Sequence, residues 1–279
     1  MIHPWLVLGA LVLEAAVGYP RVVQWVVPHP VTWAGLAIAA LETSWNNLKI
    51  TEARRKLLGI VAAILLAVAA GLLGAFLENL FAPGLFDAIA VLAFAAIGLA
   101  QRSLHDHVAA VVAPLEKGSL EEARTAVAKI VGRDTDQLDS DGVAAAAPES
   151  LAESFNDGVV APAFWLLVGG LPGLFIYKVI NTADSMIGHI EPRWPAFGWA
   201  AARTDDLMNL IPARIAALSL ASSLPPMGSC RTAIGWCGAF PPSRRRFRRS
   251  LCWPAVRHSP RPTAAPKYAS VSTSASTPS

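Results

Sequence analysis

The run "LLGIVAAILLAVAAGLLGAFL", residues 57–77, carries no charge over 21 consecutive positions. A helix needs about 20 apolar residues to cross the hydrocarbon core of a bilayer. No water is present there to satisfy backbone N–H and C=O groups, so a crossing segment of this kind must be helical. Composition points the same way. Apolar residues make up 54% of the chain and charged residues 15%, against about 25% charged in an ordinary soluble domain. The expected fold class is all-α, a polytopic helical membrane protein with a cytoplasmic region of helices and loops.

Four other apolar stretches accompany this one, near 3–18, 82–100, 159–180 and 207–224. The first contains Glu14 and has no basic residue before it, so it does not read as a cleavable signal peptide. "PHPVTWAGLAIAAL", 28–41, is shorter and reads as interfacial. Lys49, Arg54, Arg55 and Lys56 precede the clearest span, and the excess of positive charge places the 42–56 loop in the cytoplasm. Two crossings later the chain returns there, which makes 101–158 a cytoplasmic polar block. Gly169, Gly170, Pro172 and Gly173 interrupt the 159–180 stretch, and a straight helix tolerates them poorly. A broken or re-entrant segment is expected, which keeps the second polar block, 181–206, on the same side as the first. Arg214 lies inside the last stretch.

The two ends differ in charge. Residues 1–224 hold 14 Lys/Arg and all 20 Asp/Glu, a net of −6, while residues 225–279 hold 9 Lys/Arg and no acid, a net of +9. That basic tail, rich in Arg, Pro and Ser, reads either as a disordered segment or as GC-rich codons in a shifted frame. Cys230, Cys237 and Cys252 all lie in it, and their spacing matches no zinc or redox pattern.

Within the first polar block, Ser119 and Glu122 form a capping box. Ala123, Val127, Ile130 and Val131 follow on one helical stripe. "GRDTDQLDSDG" supplies Asp134, Asp136, Asp139 and Asp141, either as a turn or as a ligand site. It is not an EF-hand, because Gln137 and Pro148 would fall at the first and twelfth positions. Pro148 suits the first turn of a further helix. On that helix Glu149, Glu153 and Asp157 are spaced by four and share a face, where like charges disfavour one another. One reading is a solvated acidic face. The other is a divalent cation, since Mg²⁺ takes carboxylate oxygens together with substrate phosphates. "YKVINTADSMIGH" groups Lys178, Asn181, Asp184 and His189, and "AARTDDLMNLIPAR" adds Arg203, Asp205, Asp206 and Asn209. Polar groups at a membrane boundary are costly and tend to be functional. His105 and His107, in "SLHDHV", read as a capped helix terminus or as ligands. No phosphate-binding GxxxxGK[ST], HExxH or GxSxG pattern occurs.

Taken in order, "PHPVTWAG", "SLHDHV", "AVAKIVGRDTDQLD", "ESLAESFNDGVVAPAFW", "GGLPGLFIYKVINTADSMIGH" and "FGWAAARTDDLMNLIPAR" resemble the adenosylcobinamide-phosphate synthase family, over about residues 9–220. The resemblance implies an integral enzyme of late cobalamin biosynthesis in the cell membrane, with its active face cytoplasmic. It implies ATP-dependent joining of aminopropanol, or aminopropanol phosphate, to the propionate carboxylate of adenosylcobyric acid, with Mg²⁺ required. By this resemblance Glu149, Glu153 and Asp157 would hold Mg²⁺ on ATP, with Asp134 and Asp184 as secondary ligands. Arg133, Lys178 and Arg203, with Asn181, would bind the nucleotide, and His189 or Asp205 would take a proton from the attacking amine. Membrane lipid and other late-pathway enzymes are implied neighbours, and no nucleic acid is expected. This chain departs from the family pattern at Tyr19, where an acid is usual, and at Ser154, Phe155 and Asn156, where Asn, Thr and Ser are usual. The family also continues past 224 with a final membrane helix that this tail lacks. These departures raise the alternative of a catalytically impaired, truncated homologue. Two other classes stand beside the enzyme: a carrier or channel that uses the broken segment, and a membrane-anchored assembly protein that uses the basic tail.

Overall fold

The computed structural model describes residues 4–19, 29–80, 84–128, 150–188 and 194–223. Among them there is no strand. The helices are α1 (Pro4–Val17), α2 (Pro30–Trp45), α3 (Glu52–Glu78), α4 (Leu85–Ile97), α5 (Gln101–Glu116), α6 (Leu120–Val127), α7 (Ala161–Ile187), α8 (Trp199–Met208) and α9 (Pro212–Ser223). Residues 150–155 are also helical, and a π-helical turn, Asn156–Val160, joins them to α7. Three stretches are long and apolar enough to cross a membrane: Glu52–Glu78, Leu85–Glu116 and Ser150–Ile187. The stretch 207–224 is divided between the end of α8 and the 12-residue α9.

The packing is inverted relative to a water-soluble protein. On α3, Leu57, Ile64, Leu65, Val68, Leu72, Leu73 and Phe76 are exposed, while Gly59, Ala62, Ala63 and Gly74 are buried. In water such a face would be an aggregation hazard. In lipid it is solvated, and small residues let helix backbones approach closely. α3 packs most extensively on α7. A Cβ added at Gly74 would lie 2.6 Å from the Pro172 nitrogen, and one at Gly59 would run into the Phe197 carbonyl. α7 is the central element. Leu166, Leu171 and Leu174 pack against Val7, Ala10, Val91, Ala95 and Leu99 of the α1–α4 side, whereas Tyr177, Val179 and Ile180 pack against Ala63, Ala200 and Met208.

Two buried-side carboxyl groups explain acids that stand oddly in apolar sequence. Glu14, 4% exposed within α1, accepts from the Gln101 N–H at 2.7 Å and the Arg102 N–H at 3.1 Å. It thus caps α5, whose own N-cap residue Ala100 has no side-chain acceptor. Glu78, at the end of α3, accepts from the Leu171 N–H at 2.9 Å. That N–H is released by the break in α7 at Gly170, where φ is +66° and ψ −158°. The helix restarts through Pro172, which needs no N–H partner. A third polar cluster ties α2 to α3. Asn46 donates to Glu42 at 2.9 Å, and Arg55 donates to Asn46 at 2.8 Å, all three being buried.

The helix expected after Ser119 is present, with Ala123 and Val127 fully buried. The capping box is not formed. Ser119 occupies the N-cap, but its ψ of 87° falls short of the extended backbone that aims a capping hydroxyl, and its side chain makes no cap hydrogen bond. Ile130 and Val131 lie outside the described residues, as do 129–149 in general and the basic tail from 224 on.

Replacing Glu14 with Leu leaves two α5 N–H groups without their acceptor. The expected cost is about 1–2 kcal/mol, read as a lower unfolding midpoint in detergent. Gln at this position keeps one acceptor oxygen and should recover part of the loss. An unchanged midpoint in the Leu variant would show that the cap contributes nothing.

Candidate functional site

The π-helical turn directs the site. Its extra residue makes the Ala161 N–H reach back to the Asn156 carbonyl, and such turns recur at functional positions. It carries Asn156 and Asp157 toward α7 and α8. Tyr177, Asn181 and Asp184 recur on one face of α7, and α8 presents Asp205 with Asn209 at its end.

The result is a connected network. Asn156 donates through Nδ2 to Asp157 and to Asn209 Oδ1, both at 2.8 Å. The Tyr177 hydroxyl lies 3.2 Å from Asn209 Oδ1 and 3.4 Å from Asp157 Oδ1. Asn209 in turn donates to Asp205 Oδ2 at 3.1 Å, and Asn181 donates to Asp205 Oδ1 at 3.2 Å. Trp165 closes one side by donating to the Met208 carbonyl at 3.1 Å. Lys56 of α3 sits 3.7 Å over the Trp199 ring at the start of α8, an attraction that holds α8 against α3.

Burial and the neighbouring charges of Asp157 and Asp184 push the Asp205 carboxyl up to about 7. The amide donors of Asn181 and Asn209 pull the other way but are outweighed. A carboxyl poised near neutrality can both take and return a proton at physiological pH. Among the described residues Asn156 Oδ1 is buried with no hydrogen-bond partner.

On the neighbouring face of α7, Lys178 borders a cavity of about 320 Å³ lined also by His29, Val31, Thr32 and the Ile97–Ala100 turn. His29 is the N-cap of α2 and accepts from the Val31 N–H through Nδ1 at 3.3 Å. Burial, then the nearby Lys178 charge, lower its imidazole from the ordinary value, and a hydrogen bond to the Ile97 backbone partly offsets them. Tyr19 packs edge-on to His29 at 4.8 Å between centroids. The Ala100 N–H donates to the Gly158 carbonyl at 3.0 Å, which ties the α4–α5 junction to the π turn.

The sequence-derived candidates separate on this frame. Asp157, Asn181 and Asp205 join the network, Asp184 acts on Asp205 through its charge, and Lys178 lines the adjacent cavity. Glu153 is exposed. Arg203 is exposed and pairs with Asp206 of its own helix at 3.4 Å. Glu149, Arg133, Asp134 and His189 lie outside the described residues. His105 and His107 are exposed in the second turn of α5, whose cap is Glu14. Among the described residues no group of three or more His, Cys, Asp or Glu side chains is placed to hold a metal ion. Residue-by-residue reading missed Asn156, Tyr177 and His29, and grouped Asn209 with the polar cluster without giving it a role. The first of these was noticed only as a departure from a pattern, and a lone Tyr in an apolar helix gives no sign that its hydroxyl is buried against two acceptors.

The chain matches the CobD/Cbib protein family over residues 7–272. It belongs to that family. It is 48% identical over 214 residues to a cobalamin biosynthesis protein CobD of Sinorhizobium sp, covering 76% of this chain and 66% of that protein. Against the protein of the same name from Rhodobacter capsulatus the identity is 48% over 219 residues, covering 77% and 68%. Against that of Brucella anthropi it is 48% over 218 residues, covering 77% and 67%. The chain thus spans about two thirds of the length of the curated relatives it matches. The CobD/Cbib match runs on to residue 272, into the basic tail, whereas these pairwise alignments cover 214–219 residues. No solved structure matches the chain.

Proposed function

We propose that this CobD/Cbib family member acts in cobalamin biosynthesis as a membrane-embedded ligase. It would join aminopropanol, or its phosphate, to the propionate carboxylate of adenosylcobyric acid in an ATP-dependent reaction. Family membership and the name its relatives share support the pathway. One observation favours amide formation over simple binding: Asp205, a half-buried carboxyl pushed up to about 7, is held by two amide donors.

An alkylamine is largely protonated at neutral pH and attacks only once neutral. Asp205 is placed to accept that proton, and Asn181 and Asn209 fix its two oxygens. His189 is the alternative base. In the reaction we propose, a propionate oxygen attacks the terminal phosphorus of ATP and ADP leaves. The amine nitrogen then attacks the acyl carbon, phosphate leaves, and the amine proton passes to the base. Positioning and charge neutralisation would supply most of the rate. Mg²⁺ enters as part of the nucleotide substrate and needs only one or two protein carboxylates. Asp157 is the described residue best set for this, with Glu149, Glu153, Asp134 and Asp184 as further candidates. Lys178, Arg203 and Arg133 would contact phosphate oxygens. The reaction would take place on the cytoplasmic face of the cell membrane, next to other late-pathway enzymes.

Purified chain in detergent, supplied with adenosylcobyric acid, aminopropanol phosphate or aminopropanol, and magnesium ATP, is expected to form one amide per ADP released. Mass spectrometry of the corrinoid checks this. Binding of nucleotide with no lengthened side chain, under conditions where a curated relative is active, would overturn the ligase reading.

A further inference from the structure

We propose that Tyr177 and Asn156 are positioning residues: together they fix the side-chain amide of Asn209, and Asn209 in turn aims the Asp205 carboxyl. What Asp205 does rests on the ligase reading above; how it is held does not.

The hydrogen bonds run in one direction. A carboxylate only accepts, so Asn156 must turn its NH₂ group to Asp157, which it does at 2.8 Å. The same NH₂ group donates to Asn209 Oδ1 at 2.8 Å, and the Tyr177 hydroxyl lies 3.2 Å from that oxygen. With its oxygen held there, Asn209 turns Nδ2 to Asp205 Oδ2, at 3.1 Å. Turned over, Asn209 would set its own NH₂ group against that of Asn156 and its carbonyl against the Asp205 carboxylate. Donor would meet donor and acceptor would meet acceptor, so that orientation is excluded.

Asn156 carries a penalty for this order. It is 4% exposed, and its Oδ1 is buried with no partner among the described residues. A buried acceptor left unpaired is costly. An apolar side chain of similar size would fill the space without that cost, so the two N–H contacts are what the amide contributes. Tyr177 is fully buried among Ala63, Val179 and Ile180. Phenylalanine would pack there as well, and the hydroxyl serves only Asn209 and Asp157. The charges that act on Asp205 come from Asp157 of the π turn and Asp184 of α7. On α8 itself Arg203 pairs with Asp206, and Lys56 of α3 sits over Trp199. The variants below alter none of these charges.

The test needs no turnover, so it can fail separately from the ligase reading. The unfolding midpoint of the full chain is followed in magnesium-free detergent across the pH range in which Asp205 ionises. Its carboxyl is raised to about 7, so stability falls as pH climbs through that value. The Asn209 donor favours the ionised form and opposes the rise. Asn209→Leu is therefore expected to move the fall about one pH unit to the alkaline side. Tyr177→Phe, which deletes one oxygen, should move it the same way by less. Added to Asn209→Leu, it should move it no further, because residues acting through one group are not additive. A merely structural loss lowers the midpoint at every pH and leaves the fall in place. If Asn209→Leu fails to fold, Asn156→Ser takes its place and should shift the fall in the same direction as Tyr177→Phe. In the ligation assay the rise of rate with pH should move by the same amount. Shifted falls without any ligation would keep the positioning roles and remove the ligase reading. A wild-type pH position in any folded single variant, or additive shifts in the double variant, would overturn the proposal.

Discussion

Asparagine in place of Asp205 is expected to lower amide formation by about 10²–10⁴-fold, the usual contribution of a positioned acid or base, while the chain stays folded in the membrane. The variant keeps the shape of the side chain and removes the titration. Turnover in the wild type should rise with pH as the carboxyl ionises, with an apparent midpoint near the value of about 7. That limb should vanish in the Asn variant. Stability supplies an independent readout of the opposite sign. The folded carboxyl is raised from its ordinary 3.8 to about 7, so the native state binds more protons than the unfolded state between those values. Stability from this group is therefore complete below about pH 3.8 and is lost as pH climbs through about 7. Asp205→Asn should flatten that fall in the unfolding midpoint. A wild-type rate profile in the variant would remove Asp205 from the chemistry, whatever became of the stability.

The second large effect concerns the break in α7. Valine at Gly170 is expected to destabilise the chain by about 3–5 kcal/mol, whereas alanine at its neighbour Gly169 should be neutral or stabilising by up to about 1 kcal/mol. The contrast follows from two neighbouring glycines in different backbone states. Gly170, at φ +66° and ψ −158°, occupies a region that is almost glycine-only. A Cβ there would also press on the Glu78 carboxyl that accepts from Leu171. At Gly169 an added Cβ meets nothing within 4 Å. Unfolding midpoints of the two variants in detergent check this. Equal effects would mean that the break carries no strain and that Glu78 does not hold it open.

Much of this was legible in the chain alone. The uncharged 57–77 run requires a helix in lipid, and a helix covers it as part of α3. The glycine and proline cluster at 169–173 announces an interruption, and the backbone turns aside there at Gly170. Asp157, Lys178 and Asp205 could be singled out because charged groups beside apolar runs are costly. Their division of labour could not. Arg203 reads on paper as a phosphate contact, and only the structure shows that it also pairs with Asp206 of its own helix. Glu14 looks like a flaw in an apolar helix, yet it caps a helix 87 positions away.

By itself the sequence determined the solvent and the backbone. Long apolar runs can be only helices in lipid, because every N–H must find its acceptor within the segment. It also determined where that rule would be broken, since proline and clustered glycine act locally. What only the tertiary structure decided was which polar groups meet. Asn156, Tyr177, Asn181, Asp205 and Asn209 come from three separate stretches. Their pairing depends on the register of α7 against α8 and on the extra residue of a π turn. Side-chain hydrogen bonds reach only about 3 Å, so shifts smaller than one helical turn decide whether these groups form a network or remain separate polar residues.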